Sequence, residues 1–326
     1  MKLKDIYKKA IEIAIENDPR GKDIVLKDLE RKKKEFDDLK PDEKEFFDKE
    51  SLQNPYSDSR ILFGTDDEEI KNIFVGIDID VGEILLADNL RSKGRKVDLL
   101  LSHHPSGRAF ANLYTVMQMQ SDILNRFGVP INVAEGIMDE RIKEVERKLL
   151  PVNHTRAVDA ARLLGIPFLC LHTAADNMVA SYLQRLFDEK KPYLLSDVLD
   201  ILKNIPEYKA ARINGVGPKI ILGSKDRKAG KIFVDMTGGT EGAKEIFESL
   251  TTSGVSTIVA MHISEDHRKE AEKNHLNVIV AGHISSDTLG LNLLIDGISK
   301  YDSLEILECS GFKRFSRSES TRNRAE

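Results

Sequence analysis

The sequence predicts an α/β protein with a mainly parallel sheet, flanking helices and a helical N-terminal extension. Three observations carry that prediction. From Ile73 onward, short apolar runs of strand length alternate with segments of helical periodicity, the grammar of βαβ units. Several of those runs end abruptly in histidine or a carboxylate, where an open α/β sheet presents ligands. Before Thr65 the pattern is different, with Lys/Arg and Asp/Glu alternating around thin apolar stripes.

Taken in order, Ile6, Ala10, Ile13 and Ala14 recur at helical spacing, and Leu26, Leu29, Phe36 and Leu39 form the stripe of a second charged segment. Pro41 starts a new helix, and Asn54 to Ser59 reads as a turn or linker. The charge runs read as solvated helix faces, ahead of a partner-binding arm. Ile73 to Ile77 is a strand running towards Asp78 and Asp80, and Ile84 to Ser92 is helical. A strand over Val97 to Leu101 follows, then helical periodicity over Ala111 to Phe127, Asp139 to Leu150 and from Ala157 to Leu164. Gly165 stops that helix before the strand Ile166 to Leu171. In the second half, Leu195 to Ile205 reads as helix. Tyr208 to Ile213, Lys219 to Leu222, Lys231 to Met236, Thr257 to Met261 and Asn277 to Ala281 read as strands.

Composition excludes some classes of function. At 326 residues the chain is long enough for two domains and a large core. A formal net charge of -5 gives no general attraction to nucleic acid. Two cysteines, Cys170 in an apolar run and Cys309, make neither a disulfide framework nor a four-thiolate zinc site. Met1 to Ile15 is charged throughout, unlike a secretory signal, and no stretch approaches the roughly 18 apolar residues of a spanning helix. The expected location is the cytoplasm, with no membrane partner.

Chemistry gathers at the strand ends. The Val97 to Leu101 strand runs into Ser102-His103-His104-Pro105, and proline cannot continue the ladder, so both imidazoles stand at the start of a loop. Phe168 to Leu171 runs into His172-Thr173-Ala174-Ala175-Asp176-Asn177; taken alone, Asp176 reads as the N-cap of a helix from Met178 to Leu186. Lys231 to Met236 leads to Thr237-Gly238-Gly239-Thr240-Glu241-Gly242. That run does not place the lysine and Ser/Thr as a P-loop requires and reads as a tight turn. The last two strands lead to His262 and to Gly282-His283-Ile284-Ser285-Ser286-Asp287. His283 and Asp287, four apart at a helix start, share one face. Five of the eight histidines therefore stand at strand ends, and side by side they would make a nitrogen- and oxygen-rich metal site. Asp78, Asp80 and Asp98 read as structural carboxylates.

On the blocks Ser102-His103-His104-Pro105, His172 to Asn177, Asp235-Met236-Thr237-Gly238 and Gly282 to Asp287, the chain resembles the Nif3-like proteins, also called type 2 GTP cyclohydrolase homologues, over roughly Ile73 to Cys309. The resemblance implies two related α/β lobes with mixed, mainly parallel sheets. The expected division is a helical extension over 1–64, a first lobe over 65–190 and a second over 191–326. It implies a two-metal centre in the cleft, with ligands His103, His104, Asp176, His283 and Asp287 and with Asp176 as the bridge. It also implies His172 close by, and a homo-oligomer, often a ring, with a hexamer as the expected size. This chain departs from the pattern in having Asp287 where Glu is usual, in a longer connection from His104 to His172, and in lacking a large insert between Asp176 and His283. The charged N-terminal helices are also without a counterpart.

Imidazole with carboxylate suits two divalent ions drawn from Zn, Fe, Mn, Co or Ni. Such a centre points to a metal-dependent hydrolase or cyclohydrolase on a small, nucleotide-like substrate, with His172 or His262 as proton shuttle. Arg108, Arg156 and Lys244 are candidate contacts for an anionic substrate but read as solvated surface charge. The rival classes are a non-catalytic metal-binding or regulatory protein and an interaction adaptor acting through the charged helices.

Overall fold

The computed structural model describes residues 1–317. Nine strands are present among them: β1 (Ser59–Phe63), β2 (Asn72–Gly76), β3 (Leu99–Ser102), β4 (Phe168–Leu171), β5 (Lys219–Leu222), β6 (Lys231–Asp235), β7 (Val255–Ala260), β8 (Asn277–Val280) and β9 (Glu305–Glu308). They form two sheets, ordered β1-β4-β3-β2-β9 and β5-β8-β7-β6. Each is parallel except for one antiparallel edge strand, β1 against β4 and β5 against β8. The fold is thus α/β with mixed, mainly parallel sheets.

Both faces of each sheet are covered, which is why the central strands read as continuous apolar runs. Ile73, Val75, Leu99, Leu101, Leu169 and Leu171 pack with the helix Leu3–Glu16, whereas Phe74, Leu100 and Phe168 pack with helices Val81–Ser92 and Arg156–Leu163. The second sheet alternates in the same way, with Ile232, Val234, Val259 and Ile279 on one side and Phe233, Ile258 and Val278 on the other. Two helices serve both cores. Thr173–Lys190 gives Ala174, Ala175 and Met178 to the first and Val179, Leu183 and Phe187 to the second, and His283–Ile298 gives Leu291 and Ile295 to the first and Leu289 to the second. These helices press together so closely that a Cβ on Gly290 would lie 2.4 Å from the Ala175 carbonyl oxygen.

The structure corrects three readings and adds a strand. Tyr208 to Ile213 is not a strand but part of the helix Pro206–Ile213, with Pro206 at the first turn, where proline is favoured. The periodicity over Ala111 to Phe127 is broken into three short helices ending with Met119–Arg126. Ser59, the end of the expected linker, opens the edge strand β1, and Glu305–Glu308 pairs with β2 as β9. Strands from either side of 65–190 therefore complete the first sheet. No helix among the described residues is long and apolar enough to cross a membrane.

Candidate metal centre

Each donor is placed by the way its strand ends. Past β3, His103 N and His104 N still donate to the carbonyls of Gly76 (3.1 Å) and Ile77 (2.9 Å), so the backbone stays tied to β2 while the imidazoles clear the sheet. At the end of β4 the chain enters a helix at once, with His172 as its N-cap residue. The His172 carbonyl accepts from Ala175 N and Asp176 N, which puts Asp176 inside the first turn rather than at the cap. The helix starts earlier than its sequence suggests, and the Asp176 carboxylate is left free of capping. At the end of β8, Gly282 has φ 115°, a conformation natural to glycine, and the helix begins with His283 and carries Asp287 one turn on.

The side chains converge. His103 Nε2 lies 3.4 Å from Asp176 Oδ1 and 3.5 Å from Asp287 Oδ1. The Nε2 atoms of His104 and His283 each lie 3.6 Å from Asp287 Oδ2, and His172 Nε2 is 3.8 Å from Asp176 Oδ2. Candidate donor atoms fall into the groups His103/Asp176/Asp287, His104/His283/Asp287 and His103/His104/His172, each within 4.8 Å. Asp287, not the Asp176 that the resemblance suggests, is the carboxylate common to the first two.

The donor chemistry fits a cation. His104 Nδ1 donates to Asp78 at 2.7 Å, so in the neutral ring that burial favours Nε2 carries a lone pair aimed at Asp287, while His172 Nδ1 donates to Asp58 at 2.8 Å. Asp176 Oδ1 and both oxygens of Asp287 are buried with no hydrogen-bond partner. Lone pairs facing lone pairs in a buried site are costly unless a positive charge lies between them. Burial, then the neighbouring imidazoles, holds His103 well below its usual value, and the same causes bring His283 down to about 4. Burial pushes the Asp176 carboxyl up to about 7, and burial with the Asp176 charge pushes Asp287 up. For His172, burial acts downwards, but Asp176 and Asp58 outweigh it and raise the ring to about 9. These buried His and Asp groups could hold metal ions.

The cluster opens into a cavity of about 600 Å³, whose lining includes His262, Asp235, Thr237, Glu241, Arg141 and Lys148. The His262 and His283 ring centroids are 4.9 Å apart. Arg108, Arg156 and Lys244 are not among the lining residues; they pair at the surface with Asp48, Asp80 and Asp266. Asp80 caps the helix Val81–Ser92, and Asp98 accepts backbone donors from Lys71 and Asn72, so both are structural. Glu241 accepts from Ser264 N and faces His267, which commits it to a turn. Asp58 was missed because it sits in what read as a linker, with no local pattern to single it out.

No protein-family model matches the chain, and no curated protein matches it. Among solved structures, a NIF3 superfamily protein from Sphaerobacter thermophilus is 26% identical with a TM-score of 0.68, the match covering 78% of this chain and 92% of that one. Reduced HcgD from Methanocaldococcus jannaschii is 15% identical over 77% of this chain and 87% of its own, with a TM-score of 0.44. A Bacillus cereus protein related to NIF3 is 11% identical over 77% and 90%, with a TM-score of 0.39.

Proposed function

This chain is Nif3-like, and on that premise we propose that it is a metal-dependent hydrolase or cyclohydrolase that holds two divalent ions and acts on a small, nucleotide-like substrate. One observation carries the reading: three carboxylate oxygens of Asp176 and Asp287 are buried without a donor and face the Nε2 atoms of His103, His104 and His283. His103 and Asp176 would hold one ion and His104 and His283 the other, with Asp287 common to both groups. When bound, such a pair supplies Lewis acidity for polarising a carbonyl or phosphoryl oxygen.

The chain's own residues supply the rest. Asp58 and Asp78 fix the tautomers of His172 and His104. His172 is placed to take or return a proton at Nε2 beside Asp176, and His262 is the second candidate, standing at the cavity wall. Elemental analysis of purified protein gives the stoichiometry and the metal, and a screen of nucleotides, phosphoesters and cyclic amides with and without chelator tests catalysis. Chelator-sensitive turnover that Asp287→Asn abolishes supports the reading, whereas a stoichiometry near zero, or no metal-dependent turnover across the screen, overturns it.

A second reading has its own support. The donors come from both sheets and from the two helices that serve both cores, so bound ions would also tie the halves together. If the ions act only in this structural or regulatory way, removing them lowers the melting temperature and leaves no turnover to lose. We further propose a cytoplasmic homo-oligomer, in keeping with the resemblance. Light scattering of the metal-loaded chain tests the assembly.

A further inference from the structure

Strands β6, β7 and β8 lie side by side and parallel, with Asp235 level with Ala260 and Ala260 level with Val280. Their ends lead to Asp235, His262 and His283 in turn. At the usual strand spacing, β6 lies roughly 10 Å from β8. One cavity runs along these ends from the His/Asp cluster, past His262, to Asp235.

Asp235 differs from Asp176 and Asp287, whose oxygens face the imidazole nitrogens of the cluster. Its side chain makes no hydrogen bond or ion pair among the described residues, and its charged neighbour is another carboxylate, Glu241. In the first sheet, β2 leads to Asp78, which is taken by His104. The cavity's cations are committed as well. Arg141 is held by Glu144 at 2.7 Å and by the Glu241 carbonyl at 3.0 Å, and Lys148 by Glu144 at 2.6 Å. The uncommitted charge on this wall is therefore negative, and Phe110, Leu113, Phe247 and Ile263 give the cavity apolar surface beside it. Burial, then Glu241, raises the Asp235 carboxyl to about 6, so that above this pH it is an ionised acceptor without a donor. Such a group selects for N–H donors, because a ligand that supplies them relieves an acceptor that is only partly solvated.

Resting on the metal-centre reading, we propose that Asp235 is a specificity-determining residue of this site: it accepts the paired N–H groups of a planar, amidine-like edge on a substrate whose oxygen end meets the His/Asp cluster. The ligand class is thus a flat nitrogenous compound, long enough to span from β8 to β6, with donors at one end and a carbonyl or phosphoryl oxygen at the other.

The test uses the metal-loaded full chain and benzamidine as probe, with benzoate as the control of opposite charge, followed by calorimetric titration. Benzamidine binds saturably, Asp235→Asn and Asp235→Ala weaken it about tenfold or more, and Asp235→Glu restores part of the affinity. Benzoate gains nothing from the intact Asp235. Thermal melting checks that each variant is folded. No saturable binding of benzamidine at millimolar concentration, or equal affinity in the wild type and in folded Asp235→Asn, overturns the proposal. Elemental analysis of the same samples keeps the two ideas apart. If ions fail to bind while benzamidine affinity still depends on Asp235, the two-ion reading falls and the role of Asp235 stands; if ions bind and the dependence is absent, the reverse holds.

Discussion

The two sheets share one strand order and differ in what stands at the strand ends. Setting β9 aside, β1-β4-β3-β2 and β5-β8-β7-β6 are the same arrangement, each with its antiparallel strand at the edge. The strand next to that edge leads in both cases to a histidine followed four residues later by an aspartate on a helix, His172 with Asp176 and His283 with Asp287. The following strand leads to His103-His104 in the first sheet but to His262 alone in the second. Repetition delivers donors to one place, and the departures from repetition divide the labour. The first-sheet His172 is locked by Asp58, while the second-sheet Asp287 is shared by two donor groups.

The largest test of that asymmetry compares the two carboxylates. Asp287→Asn should remove both ions, because each donor group loses a member, whereas Asp176→Asn should leave about one per chain, read by elemental analysis after gel filtration. Equal losses in the two variants would mean that the halves contribute alike. Next in size is the contact that brings the halves together. Gly290→Ala drives a Cβ against the Ala175 carbonyl, an overpacking that should cost about 1–3 kcal/mol in denaturant unfolding. An unchanged midpoint would show that the helices can separate freely. The third test opposes the two strand-end carboxylates Asp78 and Asp235. Asp78→Asn loosens His104 and should weaken metal affinity by about tenfold, while Asp235→Asn leaves it unchanged; competition with a fluorescent chelator measures both.

The smallest expected effect is on pH dependence, and it belongs to the first-sheet pair. In chelated protein the Asp176 carboxyl is raised from 3.8 to about 7, so the stability it adds is present below 3.8 and is lost as pH rises through about 7. His172, raised from 6.5 to about 9, adds stability below 6.5 that is lost as pH rises through about 9. His283 is lowered to about 4, so its opposite trend is complete by 6.5. The chelated chain should therefore melt progressively lower from pH 6.5 to 9, and metal should flatten the slope. A flat profile in both forms would remove Asp176 and His172 from the account.

Much of this was legible beforehand, for physical reasons that vary by residue. Buried parallel strands write themselves as apolar runs, so β2, β3, β4, β6, β7 and β8 were each found to within a few residues. The short edge pieces β1 and β9 are only partly buried and mix charge with apolar residues, so they carry no such signature. Tyr208 to Ile213 misled because a short apolar run is compatible with either period; Pro206 ahead of it and Ala210-Ala211 within it favour helix. The convergence of His103, His104, Asp176, His283 and Asp287 could be anticipated from strand ends and family motifs. The sharing of Asp287 could not, since it depends on how two helices cross at Gly290.

The pairing of β9 with β2 has a consequence for biosynthesis. β2 emerges from the ribosome early, yet the strand that borders it, Glu305–Glu308, is translated long afterwards. Until then one backbone edge of the first sheet lies open, a template for pairing with other nascent chains. A β9 with a glutamate at each end, docking late, is then a closing seam, and expression stalled or clipped before it should yield aggregates rather than a smaller folded piece.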